Sequence, residues 1–166
     1  MPGITQEMYL EITSAKTGKP IGGDSLTKGN ENLIQVKKFT IGMSSPEDYS
    51  TKQASGKVNI DDVEFEFAQG AVSATLVSML TSNEQISLAK LQVFKAAGTG
   101  NKRLYLEWRF KNARLTSYKQ SNEAEMVNDT IRIGYVSFDV DSSGQKGDGT
   151  MTGMKSSSYD GNKGDK

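Results

Sequence analysis

The chain has 166 residues, enough for one domain built around a single core. Its 20 Lys and Arg balance 20 Asp and Glu, which leaves no net field to hold nucleic acid or an anionic membrane. With no Cys and no His it has no disulfide, no thiolate nucleophile, no zinc–thiolate site and none of the commonest side-chain base and metal ligand, so most enzyme mechanisms are excluded.

No apolar run approaches the roughly 18 residues of a membrane-spanning helix, and Met1–Leu10 lacks an apolar signal core. A protein made in the cytoplasm without a signal peptide, and not inserted in a membrane, is expected. In QEMYLEIT, Met8, Leu10 and Ile12 share one face and Tyr9 and Glu11 the other, which predicts a half-buried first strand. Ser14 to Asn32 is a 19-residue polar and glycine-rich connection, relieved by Ile21 and Leu26. The next run, NLIQVKKFTIGM, starts with Ile34 and Val36 in phase and continues with Phe39, Ile41 and Met43 in the opposite phase. That change implies a bulge near Lys37 and Lys38, after which Val36 is expected to turn outward while Phe39 and Ile41 face the core and Lys38 and Thr40 point away from it.

The same change of phase recurs twice. In GKVNIDDVEFEF, Val58 and Ile60 give way to Val63, Phe65 and Phe67; in TIRIGYVSFDV, Ile131, Ile133 and Tyr135 give way to Val136, Phe138 and Val140. Repeated phase changes suit a barrel or tightly bent sandwich, or strands that face the core along one half and a neighbouring subunit along the other. Between the second and third runs lies SSPEDYSTKQAS, residues 44–55, which reads either as a plain surface loop or as an arm that orders on a partner. One helix is predicted at about 73–82, with Val72, Leu76 and Leu80 as its apolar stripe, Ser73 as N-cap, and Ser82 and Asn83 as its stop.

After the helix, Leu88 to Ala97 carries apolar residues on both faces, and AAGTGNK supplies a hairpin turn. KRLYLEWRF then sets Leu104, Leu106, Trp108 and Phe110 on one face. A short strand ARLTSYK, a polar connection SNEAEMVND and a last long strand over Asn128–Val140 complete the sheet. One short edge strand is expected near 150–155, followed by a polar, mobile tail from about 156. Mainly β architecture follows: an antiparallel barrel of two sheets with one short helix, in a single domain over 1–166.

Charge is balanced overall but not locally. Between Glu47 and Glu84 stand seven acids and two bases; between Lys90 and Lys119, eight bases and one acid. Either Asp62, Glu64 and Glu66 pair with Arg103, Arg109 and Lys111 across neighbouring strands, or the subunit is bipolar and docks on a copy of itself. Chemical motifs are weak. DVDSSG at 139–144 opens like a calcium loop, but Thr150 stands where a bidentate Glu belongs, so an acidic turn is the simpler reading. Ser-x-x-Lys at Ser25/Lys28 and at Ser87/Lys90 is what a Ser- and Lys-rich chain produces by chance. The adjacent carboxylates Asp61 and Asp62 would point to opposite faces of a strand. No catalytic, metal or cofactor site is predicted.

Seven runs in order, MYLEI, IQVKKFTIGMS, GKVNIDDVEFEF, the helix opening at Ser73, AKLQVFKAAG, DTIRIGYVSFDVD and GTMTGMK, resemble the haemolysin-coregulated protein (Hcp) family, the tube protein of bacterial type VI secretion. Phe39-Thr40-Ile41 stands where the family often has Trp-Ser-Trp, and the 14–32 connection is longer than usual. The resemblance implies a non-enzymatic structural protein whose homohexameric rings stack into a tube. A contractile sheath would expel that tube with a spike protein at its tip and effector proteins in its lumen, carrying it from the cytoplasm to the extracellular space or a target cell. It further implies that Ser45, Pro46, Glu47, Asp48, Tyr49 and Ser50 form an arm between subunits or rings, and that Thr40, with Lys38 beside it, faces the lumen. The alternatives are the tail-tube protein of a contractile phage-like particle and, from a different class, a monomeric barrel binding a small ligand.

Overall fold

The alternation of the first run makes β1 (Gln6–Ser14), and the following runs make β2 (Ile34–Thr40), the short β3 (Met43–Ser44) and β4 (Asn59–Ile60), and β5 (Val63–Ala68). After α1 (Val72–Thr81) come β6 (Gln85–Ala96), β7 (Lys102–Glu123), β8 (Met126–Ser142) and β9 (Lys155–Asp160). The computed structural model describes residues 6–23, 25, 31–46, 58–96, 102–144 and 152–161. Six antiparallel strands form a barrel in the order β5-β2-β1-β6-β7-β8, closed where Val63–Ala68 of β5 pairs with Asn128–Ile133 of β8. Beyond that closure the same edge of β8, Ser137–Ser142, pairs instead with β9, and β3 and β4 form a separate two-stranded pair. No described helix is long and apolar enough to cross a membrane.

The phase changes have three structural origins. The run from Val58 to Phe67 is two strands broken at Asp61 and Asp62: Ile60 lies in β4 of the separate β3–β4 pair, whereas Val63, Phe65 and Phe67 lie in β5 of the barrel. In β2 the register with β5 slips between Val36 and Lys38, so the bulge lets Val36 stay buried while Phe39 and Ile41 also pack against the core. Val36 therefore does not turn outward: the extra residue is absorbed at Lys37, and both halves of the strand face inward. In β6, β7 and β8 the change falls on one line across the sheet. Ile86 pairs with Ala113, and Ala113 with Tyr135; Leu88 pairs with Lys111, and Lys111 with Ser137. Ser87, Asn112 and Val136, one residue on each strand, lie between these pairs and carry no ladder partner, and Asn112 takes a positive φ of 50°. On one side of this line Ile86, Ala113, Leu115 and Ile133 are buried, and on the other Ala89, Leu91, Phe110 and Phe138. Val136, predicted to begin an apolar face, is exposed because it sits on the line itself.

Four expectations change in detail. Tyr9, assigned to the wet face of β1, is buried because Phe94 of β6 covers it edge-on at 6.0 Å and Glu7 accepts its hydroxyl proton at 2.7 Å. ARLTSYK and SNEAEMVND are not a short strand and a connection; β7 runs on to Glu123, and a tight turn with Ala124 at φ 54° leads straight into β8. The edge strand expected near 150–155 lies at Lys155–Asp160, so the first residues of the tail expected from about 156 are strand, and 162–166 lie outside the described residues. The helix starts at Val72 with Ala71 as its N-cap and no side-chain cap, since Ser73 directs its hydroxyl elsewhere.

The helix would be marginal alone at ten residues, so packing must hold it. It buries Val72, Leu76 and Met79 against the barrel beside β7, with Leu80 only partly covered. Burial of a side chain such as Leu76 contributes about 1.5–3 kcal/mol. Its end is a Schellman motif: Asn83 sits at φ 53°, its amide bonds Leu80 O at 3.2 Å, and the Glu84 amide bonds Met79 O at 2.9 Å. The long 14–32 connection is stitched down where it is described: Ile21 N bonds Ile12 O, and Gly23 N bonds Asn32 O at 2.7 Å. Gly23 has to be glycine, because a Cβ there would lie 2.5 Å from the Leu33 carbonyl.

Candidate assembly surface

The bulge in β2 decides which side chains leave the barrel. Lys38 and Thr40 are both exposed, opposite Glu66 and Glu64 of β5, with the half-buried Phe39 between them. On the other side of β5, Glu64 accepts from Arg132 Nε of β8 at 3.1 Å. The outer face of β2, β5 and β8 is thus a lattice of alternating charge rather than an apolar surface.

At the end of that face a cleft of about 490 Å³ is lined by Thr40, Gly42, Ile60, Asp61, Asp62, Glu64 and Arg132. Asp61 folds back over Gly42, where a Cβ would meet its carboxylate at 2.8 Å. Asp62 accepts from Thr116 Oγ1 of β7 at 2.6 Å. Beneath the cleft, Tyr135 packs on Phe110 at 4.7 Å, and its buried hydroxyl has no hydrogen-bond partner among the described residues. Burial, with the carboxylates of Asp62 and Asp61 adding to it, pushes this phenol up to about 12. It therefore stays neutral at any physiological pH. Among the described residues no group of His, Cys, Asp or Glu could hold a metal ion.

A second polar array crosses the outer face of β6 to β9. Gln92 donates to Glu107 at 2.8 Å; Arg109 donates to Glu107 and, at 2.8 Å, to Asp141; and Lys111 is ion-paired with Asp139. Lys111 holds the Asp139 carboxyl below its ordinary range, and Arg109 does the same for Asp141. Ser158 and Ser156 of β9 add hydroxyl donors to the same two carboxylates at 2.6 and 2.5 Å. Among the described residues, the cross-strand ion pairs that Glu64 of the acidic segment and Arg109 and Lys111 of the basic segment make are therefore with β8 rather than with each other. Arg109 and Lys111 find acids on β8, and Glu64 finds a base there, because β8 separates β5 from β7 in the barrel.

Of the predicted arm, Ser45 is exposed and Pro46 half-buried just beyond β3, while Glu47, Asp48, Tyr49 and Ser50 lie outside the described residues. Sequence reading missed the knot that fixes α1 to the β7–β8 hairpin. Asp129, fully buried, accepts from Ser73, from Tyr118 at 3.0 Å and from Gln120 at 2.9 Å. A lone Asp in a polar run gives no periodic signal. The partly buried Leu106, Trp108, Val140 and Tyr159 continue the inner apolar face past the barrel closure. Trp108 and Tyr159 both pack against Phe138, at 5.4 and 5.7 Å.

Comparison with known proteins adds to this geometry. The family model described as "Type VI secretion system effector, Hcp" matches residues 9–142. Among solved structures, Hcp1 of E. coli EAEC 042 is similar at TM-score 0.78 and 15% identity, covering 93% of this chain and 98% of that one. Hcp1 of Salmonella typhimurium is similar at TM-score 0.73 and 18% identity, covering 96% and 97%. The secreted protein Hcp3 of Pseudomonas aeruginosa is similar at 0.72 and 19%, covering 94% and 98%. At these identities the likeness shows a shared fold. No curated protein matches the sequence significantly.

Proposed function

The chain belongs to the Hcp family of type VI secretion systems, and from that premise we propose that it is a structural, self-assembling tube protein whose six-subunit rings stack into a conduit. The family match over residues 9–142 carries this reading. In it, a contractile sheath expels the tube with a spike at its tip, and effector proteins travel in the lumen. The protein is made in the bacterial cytoplasm and exported by this route, without catalytic work of its own. Apolar side chains left partly open on β7, β8 and β9 supply surface for subunit contacts. The segment from Ser45 through Pro46, Glu47, Asp48 and Tyr49 to Ser50 forms the arm between subunits or rings. The polar cleft beside Thr40 does not suit an apolar ligand, so a monomeric lipid-binding barrel gains nothing from it.

Within the ring, Lys38 and Thr40 face the lumen. The chain has no native Cys, so a Thr40→Cys variant accepts a single thiol label. Assembled rings labelled with a gold maleimide should show density in the central hole by electron microscopy. Gold on the outer rim would contradict the lumen assignment while leaving ring formation intact.

A further inference from the structure

β9 differs from every other long strand in how it is held. The barrel closes without it, since β5 completes the ring through Asn128–Ile133 of β8. Lys155 to Ser158 are exposed, and Tyr159 and Asp160 only partly covered. A strand with so little buried surface opens locally at low cost, and its departure would leave six ladder positions of β8 unpaired. Twelve residues, 143–154, join β8 to β9, where an antiparallel hairpin needs about two to five. Fully extended, a connection of this length spans about 40 Å. Among the described residues its ends are closed by three bonds between Gly144 and Thr152, at 2.8, 2.6 and 3.2 Å, and Ser143 N bonds Tyr105 O of β7 at 2.8 Å.

The edge that β9 occupies is chemically specific. Asp141 receives Ser156, Asp139 receives Ser158, and Phe138 stacks with Tyr159 at 5.7 Å and 25°. Both carboxylates are already oriented from the other side by Arg109 and Lys111, so the edge stays formed when β9 leaves. It therefore reads an extended segment of the pattern hydroxyl, any residue, hydroxyl, aromatic. Among the described residues, the segment seated on it is this chain's own Ser156–Tyr159.

We propose that β9 is an exchangeable strand: the Ser137–Ser142 edge of β8 is a docking edge for a hydroxyl–x–hydroxyl–aromatic segment, filled within the chain by Lys155–Asp160 and, in the assembly, by the same segment of a second copy. This rests on the self-assembly proposed above. A tether of this kind presents β9 to its own edge at about millimolar effective concentration, so a second copy competes only where subunits are held side by side. Exchange then links neighbours by main-chain bonds without any new surface.

The test uses the full-length chain, which has no native thiol to interfere. Ser142 and Lys155 are register partners and both exposed. A Ser142→Cys chain and a separate Lys155→Cys chain are mixed, assembled and mildly oxidised, and sedimentation is run on the same sample. Exchange predicts a Ser142→Cys to Lys155→Cys cross-link between chains in several-fold excess over either self-pair. It also predicts a marked loss when Ser157→Cys, partner of Val140, replaces Lys155→Cys. Assembled material without the inter-chain link, or with links indifferent to register, overturns the exchange alone. A sample that sediments only as single subunits overturns the assembly reading as well.

Discussion

Asp129 shows how one buried group ties elements together. A carboxylate at 0% exposure among neutral donors remains only if those donors hold it, and the donors come from α1, at Ser73, and from β7, at Tyr118 and Gln120. Ser73→Ala removes a donor and leaves the carboxylate under-satisfied. Urea unfolding of this variant should show a loss of about 1–3 kcal/mol, and an unchanged midpoint would mean that Tyr118 and Gln120 suffice. Asp139 and Asp141 make a different prediction, because both have carboxyls held below 3.8 by Lys111 and Arg109. Groups lowered in the folded state stabilise above their unfolded value, and that stability is lost as pH falls through the folded one. Thermal stability should therefore drop as pH is taken below 3.8, and less steeply in Asp139→Asn. Since both side chains are partly solvated, the effect is modest. Parallel acid limbs for the two proteins would contradict it.

The bent line through Ser87, Asn112 and Val136 is the element on which the barrel turns. Asn112 is the residue that takes a left-handed conformation there, at φ 50°. Asn112→Val should destabilise by about 1–2 kcal/mol, because a β-branched side chain clashes in that region. Asn112→Gly should be nearly neutral, and equal losses in both variants would place the cost in the Asn side chain instead. Much of this element was legible beforehand. The apolar runs 131–135 and 136–140 changed phase in the sequence because the strand they form crosses the line, and 34–36 and 39–41 changed phase because β2 carries a bulge, whereas Met43, expected on the same face, lies in β3 and is exposed. Side-chain alternation records which way residues point, so it reports bends directly. It does not report what covers a face, which is why Tyr9 was assigned to solvent although Phe94 lies over it. Nor does it recognise strands stabilised by main-chain pairing in polar sequence. The tip of the β7–β8 hairpin, exposed from Lys119 to Val127, and the Ser-rich β9 carry no apolar period at all. For the same reason Lys38 and Thr40 could be placed outward from the alternation around Phe39, whereas the cleft beside them depends on Gly42 and Asp61 meeting across a turn.

At the scale of the whole molecule, opposite charges are separated along the chain and reunited through β8, which pairs with Glu64 on one side and with Arg109 and Lys111 on the other. This leaves the subunit electrically neutral overall, with 20 bases and 20 acids, so copies can approach without net repulsion. Apolar surface on β7 to β9 stays partly open in the single chain and is available to a neighbour. Analytical ultracentrifugation at micromolar concentration and neutral pH tests the assembly most directly. A tube protein of this family should sediment as a species of about six times the 18.1 kDa subunit mass, as expected for a closed ring held by interfaces of standard size. A single 18.1 kDa species that persists to high micromolar concentration would contradict ring assembly.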